Sequence, residues 1–212
     1  MTIKAVIFDI GNVLIEWQPE RFYDSVIGPD RRRAMFDAVD LHGMNDRVDR
    51  GEHFTETIYA TADQYPEWRD EIRLWHDRWI EMANPVIDRS LRLMTALQAK
   101  GVPVFSLTNF GIQSYDLAAT HYPFLRDFDR DFISGHMGVI KPDADIYAQV
   151  ETSSGFAPDA LIFTDDRTDN IAAAATAADK MAELIGGSGQ VAVIVHDQTS
   201  RTGIDRRDGF VN

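Results

Sequence analysis

The chain has 212 residues and no cysteine, which excludes disulfides, cysteine-ligated zinc, iron–sulfur clusters and a thiol nucleophile. Its 21 Lys and Arg against 34 Asp and Glu give a net charge of −13 at pH 7, which disfavours nucleic-acid and anionic-membrane partners. No window approaches ~20 consecutive apolar residues, and the N-terminus runs directly into an apolar segment without room for a signal peptide. We therefore expect a soluble, cytoplasmic protein.

Short apolar runs along the chain predict buried β-strands. They cover residues 5–8, 102–107, 160–163 and 191–195. Runs that are apolar on both faces are typical of a parallel sheet covered by helices on both sides. Helical patterns lie between them: apolar residues at three-residue spacing precede Lys100-Gly101, and an alanine-rich stretch spans Ile171 to Ile185. The alternation predicts an α/β fold with a doubly wound parallel sheet.

Residues 16–86 interrupt that alternation. They are rich in aromatic residues and in mixed charge and have few β-branched runs. We interpret them as a small helical cap inserted into a core formed by residues 1–15 and 87–212. Trp75 and Trp79 are four residues apart and share one helix face, which favours a role in the packing of the cap over substrate recognition.

Polar residues follow three of the predicted strands. They are Asp9, Thr108 with Asn109, and Asp165 with Asp166. Because the carboxyl ends of parallel strands meet at one crevice, we expect these groups to converge. Carboxylates so close together repel one another unless a cation offsets them; Mg²⁺ takes carboxylate and phosphate oxygens, and Lys141 is a second source of positive charge. The pattern predicts a carboxylate and magnesium site for phosphoryl chemistry.

Four motifs in this order resemble the haloacid dehalogenase (HAD) superfamily over about residues 3–176. They are Phe8-Asp9-Ile10-Gly11-Asn12-Val13-Leu14, Ser106-Leu107-Thr108-Asn109, Lys141-Pro142, and Thr164-Asp165-Asp166-Arg167-Thr168-Asp169-Asn170-Ile171. The chain is most similar to the capped phosphatases, which include sugar-phosphate phosphatases such as α-glucose-1-phosphate phosphatase. The resemblance implies a Rossmann-like core, a Mg²⁺ cofactor and a small phosphorylated metabolite, with a sugar phosphate favoured, as substrate.

The resemblance also implies a nucleophile and a set of metal ligands. Asp9 would attack phosphorus to form an aspartyl-phosphate and would also bind Mg²⁺. Gly11 would bind the metal through its backbone carbonyl, and Asp166 through its carboxylate. Asp165 and Asn170 would hold metal-bound water or Lys141. An acid at Asp166, rather than a small polar residue, favours a Mg²⁺-dependent phosphatase over a metal-free dehalogenase.

Three further residues are implied to contact the phosphoryl group. Thr108 would donate its hydroxyl to a phosphoryl oxygen, with the Asn109 amide beside it. Lys141 would neutralise charge on the transferring group and orient Asp9. In capped relatives the insertion selects the substrate, and this makes several residues weak candidates for substrate contact: Glu16, Trp17, His42, Arg47 and Arg50.

Gly11 departs from the family pattern. Most phosphatases of the family carry an aspartate two residues after the nucleophile, which protonates the leaving group and activates water. A general acid–base group contributes ~10²–10⁴ in rate, so we expect slow turnover here. Slow proton transfer would matter least for a good leaving group such as that of a sugar 1-phosphate.

The C-terminal segment, residues 177–212, departs as well. It resembles a helix–strand–helix unit of ribose-type periplasmic sugar-binding proteins. One hypothesis is therefore an engineered chimera, a designed protein joined near Thr176, in which enzyme activity is incidental or absent. A metal-independent dehalogenase is a third alternative to the phosphatase. An exposed sheet edge at the replaced strand would favour weak association, so we expect a monomer or a weak homodimer.

Overall fold

The computed structural model describes the backbone of residues 3–185 and the side chains of residues 3–177. The strand predicted at 191–195 and most of the segment 177–212 lie outside the described residues, so the chimera hypothesis is not tested by the fold. The last described helix runs without a break through Thr176, the proposed junction. No helix within the described part of the chain is long and apolar enough to cross a membrane.

The described strands and helices alternate along the core of the chain. The strands are β1 (Ala5–Phe8), β2 (Ile15–Trp17), β3 (Ala83–Val86), β4 (Val104–Thr108), β5 (Arg130–Ile133) and β6 (Leu161–Thr164). The helices before β3 are α1 (Pro19–Ile27), α2 (Pro29–Ala38), α3 (Leu41–Asp49), α4 (Phe54–Gln64), α5 (Arg69–Asp77) and α6 (Trp79–Met82). Those after it are α7 (Asp88–Ala99), α8 (Ile112–His121), α9 (Ser134–Met137), α10 (Ala144–Ser154) and α11 (Thr168–Ile185), with 3₁₀ turns at Pro123–Arg126 and Pro158–Ala160.

The main sheet is parallel, and within residues 3–185 its strand order is β5-β4-β1-β6. The chain builds outward from β1 through β4 to β5 and then returns to the other side of β1 with β6. The order therefore reverses beside β1, and in open α/β sheets such a reversal opens a crevice at the carboxyl ends of the strands. The register puts the ends of three strands together, since Phe8 of β1 lies opposite both Ser106 and Thr164.

Both faces of the sheet are covered, as the apolar runs predicted. Along β1, Val6 and Phe8 belong to one buried cluster, and Ala5 and Ile7 to a second on the opposite face. The second cluster takes in the inner faces of α10 and α11, whereas the first contains buried residues of α7 and α8 and continues into α1–α6. The doubly wound α/β fold predicted from the sequence is confirmed.

Helices α1–α6 lie between two short strands that pair with each other. β2 and β3 form a two-stranded antiparallel ribbon, in which Ile15 lies opposite Val86. The chain therefore leaves the core and returns to it at one place. The aromatic residues of these helices pack into the first buried cluster, and Trp75 is only 1% exposed. Helices for this segment were predicted, whereas the ribbon was not.

The layer between the sheet and α10–α11 generates a stability prediction. Leu107 is buried in that layer, so Leu107→Ala should lower the free energy of unfolding by about 2–5 kcal/mol through lost burial and a residual cavity. Leu93, which is 42% exposed on α7, provides the matched control. Leu93→Ala should change the free energy of unfolding by less than ~0.5 kcal/mol. Urea unfolding followed by circular dichroism measures both, and equal effects would contradict this packing.

Candidate active site

The residues that sequence analysis singled out meet at the carboxyl end of the sheet. Asp9 follows β1, Thr108 ends β4, and Asp165 follows β6. The backbone N–H of Asp9 donates to the Thr164 carbonyl at 2.9 Å, so β1 and β6 remain paired up to this point. Asp9, Thr108, Lys141 and Asp166 all line one cavity of about 290 Å³.

Three carboxylates come together beside this cavity, and two of them, Asp9 and Asp166, line it. Oxygen atoms of Asp9, Asp165 and Asp166 lie within 4.8 Å of one another. Burial raises the pKa of Asp9 to about 7; Lys141 opposes that rise, and the two neighbouring carboxylates add to it. A further positive charge would favour the ionised form of Asp9, so the cluster has the charge and the ligand chemistry for a divalent cation.

Lys141 lies fully buried between two of these carboxylates. Its Nζ atom is 2.9 Å from Asp9 Oδ1 and 2.6 Å from Asp165 Oδ2, and it donates to the Leu107 carbonyl at 3.0 Å. Burial alone would lower the pKa of this lysine, but the two carboxylates outweigh it and the net shift is upward. The ammonium group therefore stays charged and holds the ends of β1 and β6 together.

Asn109 contacts the backbone of Lys141. The Lys141 N–H donates to Asn109 Oδ1 at 2.7 Å, and Asn109 Nδ2 donates to the Lys141 carbonyl at 2.9 Å. This pair of bonds fixes the loop that carries the lysine. The Asn109 side chain thereby helps to position Lys141. Contact between the Asn109 amide and a phosphoryl oxygen stays a prediction.

Asp165 is surrounded by donors. Besides Lys141, it accepts bonds from the Arg167 backbone N–H at 2.8 Å and from Asn170 Nδ2, at 3.0 Å to one oxygen and 3.1 Å to the other. The Asn170 Oδ1 atom is buried and has no hydrogen-bond partner among the described residues. Asn170 also lines the cavity. A buried amide oxygen of this kind can accept a bond from metal-bound water, so the residues present fit a hydrated Mg²⁺.

Asn12 is a site residue for which sequence reasoning assigned no role. Its Nδ2 donates to Asp166 Oδ2 at 3.2 Å, and its Oδ1 accepts the Trp17 backbone N–H at 2.9 Å. It has a left-handed backbone with φ of 54°, which asparagine adopts more readily than most residues. Asparagine at this turn therefore ties the loop after β1 to Asp166 and to β2. Gly11, beside it, also lines the cavity.

Aromatic side chains form one wall of the cavity. Trp17 lies with its ring centroid 5.8 Å from that of Trp75 and 5.5 Å from that of Trp79, and Phe110 adjoins Trp79. All four line the cavity. Trp75 and Trp79 are buried, as their predicted packing role requires, and they also face the space where a substrate would lie.

The cap residues around the cavity match the weak candidates only in part. Glu16, Trp17 and His42 line it. Arg47 and Arg50 are not among its lining residues and instead pair with exposed acids, Glu52 at 3.5 Å and Asp143 at 2.8 Å.

Sequence analysis missed three polar lining residues on α3. These are Asn45, Asp46 and Asp49. Together with His42 they follow the spacing i, i+3, i+4 and i+7, which places them on one helix face. That periodicity was the available signal, although it does not say which neighbour the face meets.

The family model for haloacid dehalogenase-like hydrolases matches residues 3–178. A sesquiterpene phosphatase of Aspergillus oryzae is 27% identical over 175 residues, which are 82% of this chain and 85% of that protein. The range that the family model matches includes the core motifs whose residues meet in the cavity.

Solved structures share the fold. A HAD family enzyme of Bacteroides thetaiotaomicron has a TM-score of 0.71 at 19% identity, over 95% of this chain and 97% of that one. Its complex with magnesium and inorganic phosphate has a TM-score of 0.68 at 19% identity, covering 93% and 96%. The L-2-haloacid dehalogenase of Xanthobacter autotrophicus has a TM-score of 0.61 at 16% identity, covering 100% and 84%. With its family model spanning most of its length, the chain belongs to the haloacid dehalogenase-like hydrolases.

Proposed function

We propose that the protein is a Mg²⁺-dependent phosphatase that hydrolyses a small phosphate monoester through an aspartyl-phosphate on Asp9. The observation that carries the proposal is the cluster of Asp9, Asp165 and Asp166 around the buried Lys141, at the end of a cavity with an aromatic wall. The sesquiterpene phosphatase relative and the neighbour that binds magnesium and phosphate support it.

In this mechanism the chain's own residues prepare Asp9 for attack. Bonds to Asp9 Oδ1 from Lys141 and from the Ile10 backbone N–H, at 2.7 Å, fix the rotation of the carboxylate. Lys141 and the Thr108 hydroxyl would stabilise negative charge on the transferring phosphoryl group. Asp9 and Asp166 would hold Mg²⁺, which would supply positive charge that offsets the negative charge of the phosphate oxygens.

The cavity suggests what the organic part of the substrate looks like. Glu16 and Asp46 line it together with the aromatic wall, so a second anionic group on the substrate would be repelled there. Aromatic rings pack against the C–H face of a sugar or against a hydrocarbon chain. We favour a sugar phosphate because His42 and Asn45 offer hydrogen bonds to hydroxyl groups; a terpenyl phosphate is the alternative that the sesquiterpene phosphatase relative suggests.

Magnesium binding is testable without activity. Mg²⁺ should raise the thermal unfolding midpoint of the wild-type protein, because a ligand at 100 times its Kd stabilises by about 2.7 kcal/mol. Asp166→Asn should abolish the rise by removing a ligand charge. Asp169→Asn, an equal charge change at an exposed position three residues later, at the start of α11, should keep it. A rise that survives Asp166→Asn would place the metal elsewhere.

Phosphate release tests the nucleophile. With p-nitrophenyl phosphate and Mg²⁺ we expect turnover that a chelator removes. Asp9→Asn should lower kcat on the order of 10⁴-fold or more, because no covalent intermediate can form. Asp145→Asn on the exposed start of α10 is the control. Chloride release from a haloacid without metal would instead support the dehalogenase, and activity that survives Asp9→Asn would end the proposed mechanism.

The aromatic wall predicts a loss of substrate affinity on truncation. Trp17→Ala should raise KM about tenfold for the best ester in a panel of sugar and terpenyl phosphates, with kcat less affected, because the ring contributes contact to the organic part. Tyr65→Ala, a partly buried aromatic that follows α4 in the same inserted segment (residues 16–86) and does not line the cavity, controls for loosened packing. Unchanged KM for Trp17→Ala would exclude this wall from substrate binding.

A further inference from the structure

Asp49 is a buried carboxyl group to which the mechanism above gives no part. It ends α3 and is 7% exposed, and it lines the same cavity as Asp9, Thr108 and Lys141. Among the described residues, no Lys, Arg or His lies within salt-bridge distance of it. A buried carboxyl group without a cationic partner is expensive to ionise, so its retention beside a reaction site needs an explanation.

Bonds from both sides hold Asp49 in place. Asn45 Nδ2 donates to Asp49 Oδ2 at 2.8 Å, and Asn45 Oδ1 in turn accepts the Trp75 indole N–H at 3.0 Å. The Ser134 hydroxyl donates to the Asp49 backbone carbonyl at 2.7 Å and accepts the Phe110 backbone N–H at 2.8 Å. The carboxyl group is therefore oriented by the helical segment, and its backbone is anchored to the core.

The surroundings of Asp49 favour its protonated form. Burial, followed by the charge of Asp46 one turn earlier, raises the pKa of Asp49 to about 8, and Asp9 adds to the rise. The Gly111 backbone N–H and the more distant Lys141 oppose it. At neutral pH the protonated form of Asp49 is favoured. Burial also raises the pKa of Asp9, to about 7, but Lys141 in direct contact opposes that rise more strongly than it opposes the rise at Asp49.

The reaction proposed above needs such a donor. Gly11 occupies the position at which related phosphatases carry their acid–base aspartate, and a Cβ atom built there would meet nothing within 4 Å. The first motif therefore leaves this side of the cavity open. We propose that Asp49, supplied from α3, is the general acid and base of this enzyme, an inference that rests on the phosphatase function.

Proton movements balance over the two half-reactions. In the first, an Asp9 oxygen bonds to phosphorus as the ester P–O bond breaks, and the leaving oxygen takes the Asp49 proton. In the second, the Asp49 carboxylate takes a proton from water as the water oxygen bonds to phosphorus and the Asp9–phosphorus link breaks. Inorganic phosphate leaves, and Asp49 is again protonated.

Asp49→Asn tests the proposal by leaving-group dependence. The amide is isosteric and neutral and can still accept the Asn45 bond, so we expect a folded protein with little change in melting temperature. The kcat/KM for β-glycerol phosphate, whose alkoxide needs a proton, should fall ~10²–10⁴-fold. For p-nitrophenyl phosphate, whose nitrophenolate needs none, kcat/KM should change less than tenfold. Loss of the base should slow the second half-reaction and give a burst of nitrophenolate.

Controls separate this inference from the phosphatase function itself. Asp37→Asn, an exposed acid on α2, should match wild type. Absent phosphate release in the wild-type protein would remove the phosphatase proposal. A second outcome would overturn only the role of Asp49. In it, Asp9→Asn abolishes the wild-type activity, while Asp49→Asn lowers kcat/KM for both esters equally or for neither.

The pH profile provides a test that does not depend on the folding of the Asp49 variant. In the wild-type protein, kcat/KM for β-glycerol phosphate should fall above about pH 8, as Asp49 loses its proton, while that for p-nitrophenyl phosphate should not. Asp46→Asn removes the charge that raises this pKa and should move the alkaline limb to lower pH. The proposal would be overturned if kcat/KM fell at the same alkaline pH for both esters and Asp46→Asn did not shift that pH.

Discussion

The buried ion pairs of Lys141 are the interaction on which the rest of the site depends. The ammonium group contacts a carboxylate after β1 and another after β6, and two hydrogen bonds between the Asn109 side chain and the Lys141 backbone hold the lysine in place. A charge taken out of water is tolerated only when such partners surround it, and the removal of one partner leaves the others uncompensated. The lysine thus allows two acids to approach at the strand ends. The remaining excess of negative charge, which includes Asp166, is what a divalent cation would satisfy.

Sequence analysis predicted the strands that are buried on both faces and missed the short strands and the edge strand that are only partly buried. The strands at residues 5–8, 104–108 and 161–164 are apolar on both faces because helices cover both sides of the sheet. The edge strand β5 was not predicted, since Arg130 and Asp131 are exposed and only its second half is apolar. The ribbon of β2 and β3 is too short to show a period of two. Periodicity reports which residues avoid water, so edges and short ribbons give little signal.

Some residues of the candidate site could likewise be predicted from the sequence, and others could not. Asp9, Thr108 and Asp165 were predictable together because parallel strands bring their carboxyl ends to one edge. The contribution of α3 depends on how a helix docks from a distant part of the chain, and local spacing does not encode that. The docking relies on close backbone approach: Gly51 has φ of +104°, and a Cβ atom there would lie 2.6 Å from the Gly135 carbonyl oxygen. A side chain at Gly51 would push the end of α3, and Asp49 with it, away from the core.

Two buried acids share this cavity, and of the two Asp9 has a buried cation in contact. Burial and neighbouring carboxylates raise the pKa of both acids, to about 7 for Asp9 and about 8 for Asp49, but the contact with Lys141 favours the charged form of Asp9, and a bound metal ion would favour it further. Nucleophilic attack needs a charged carboxylate, whereas protonation of the leaving group needs a neutral acid. With Asp9 on the core in the first role and Asp49 on the inserted helix in the second, one cavity would supply both forms at the same pH. In the mechanism proposed here the first motif needs no second aspartate. The helix packed over the cavity then both encloses the substrate and supplies the proton, so that docking of α3 and proton transfer depend on the same contacts.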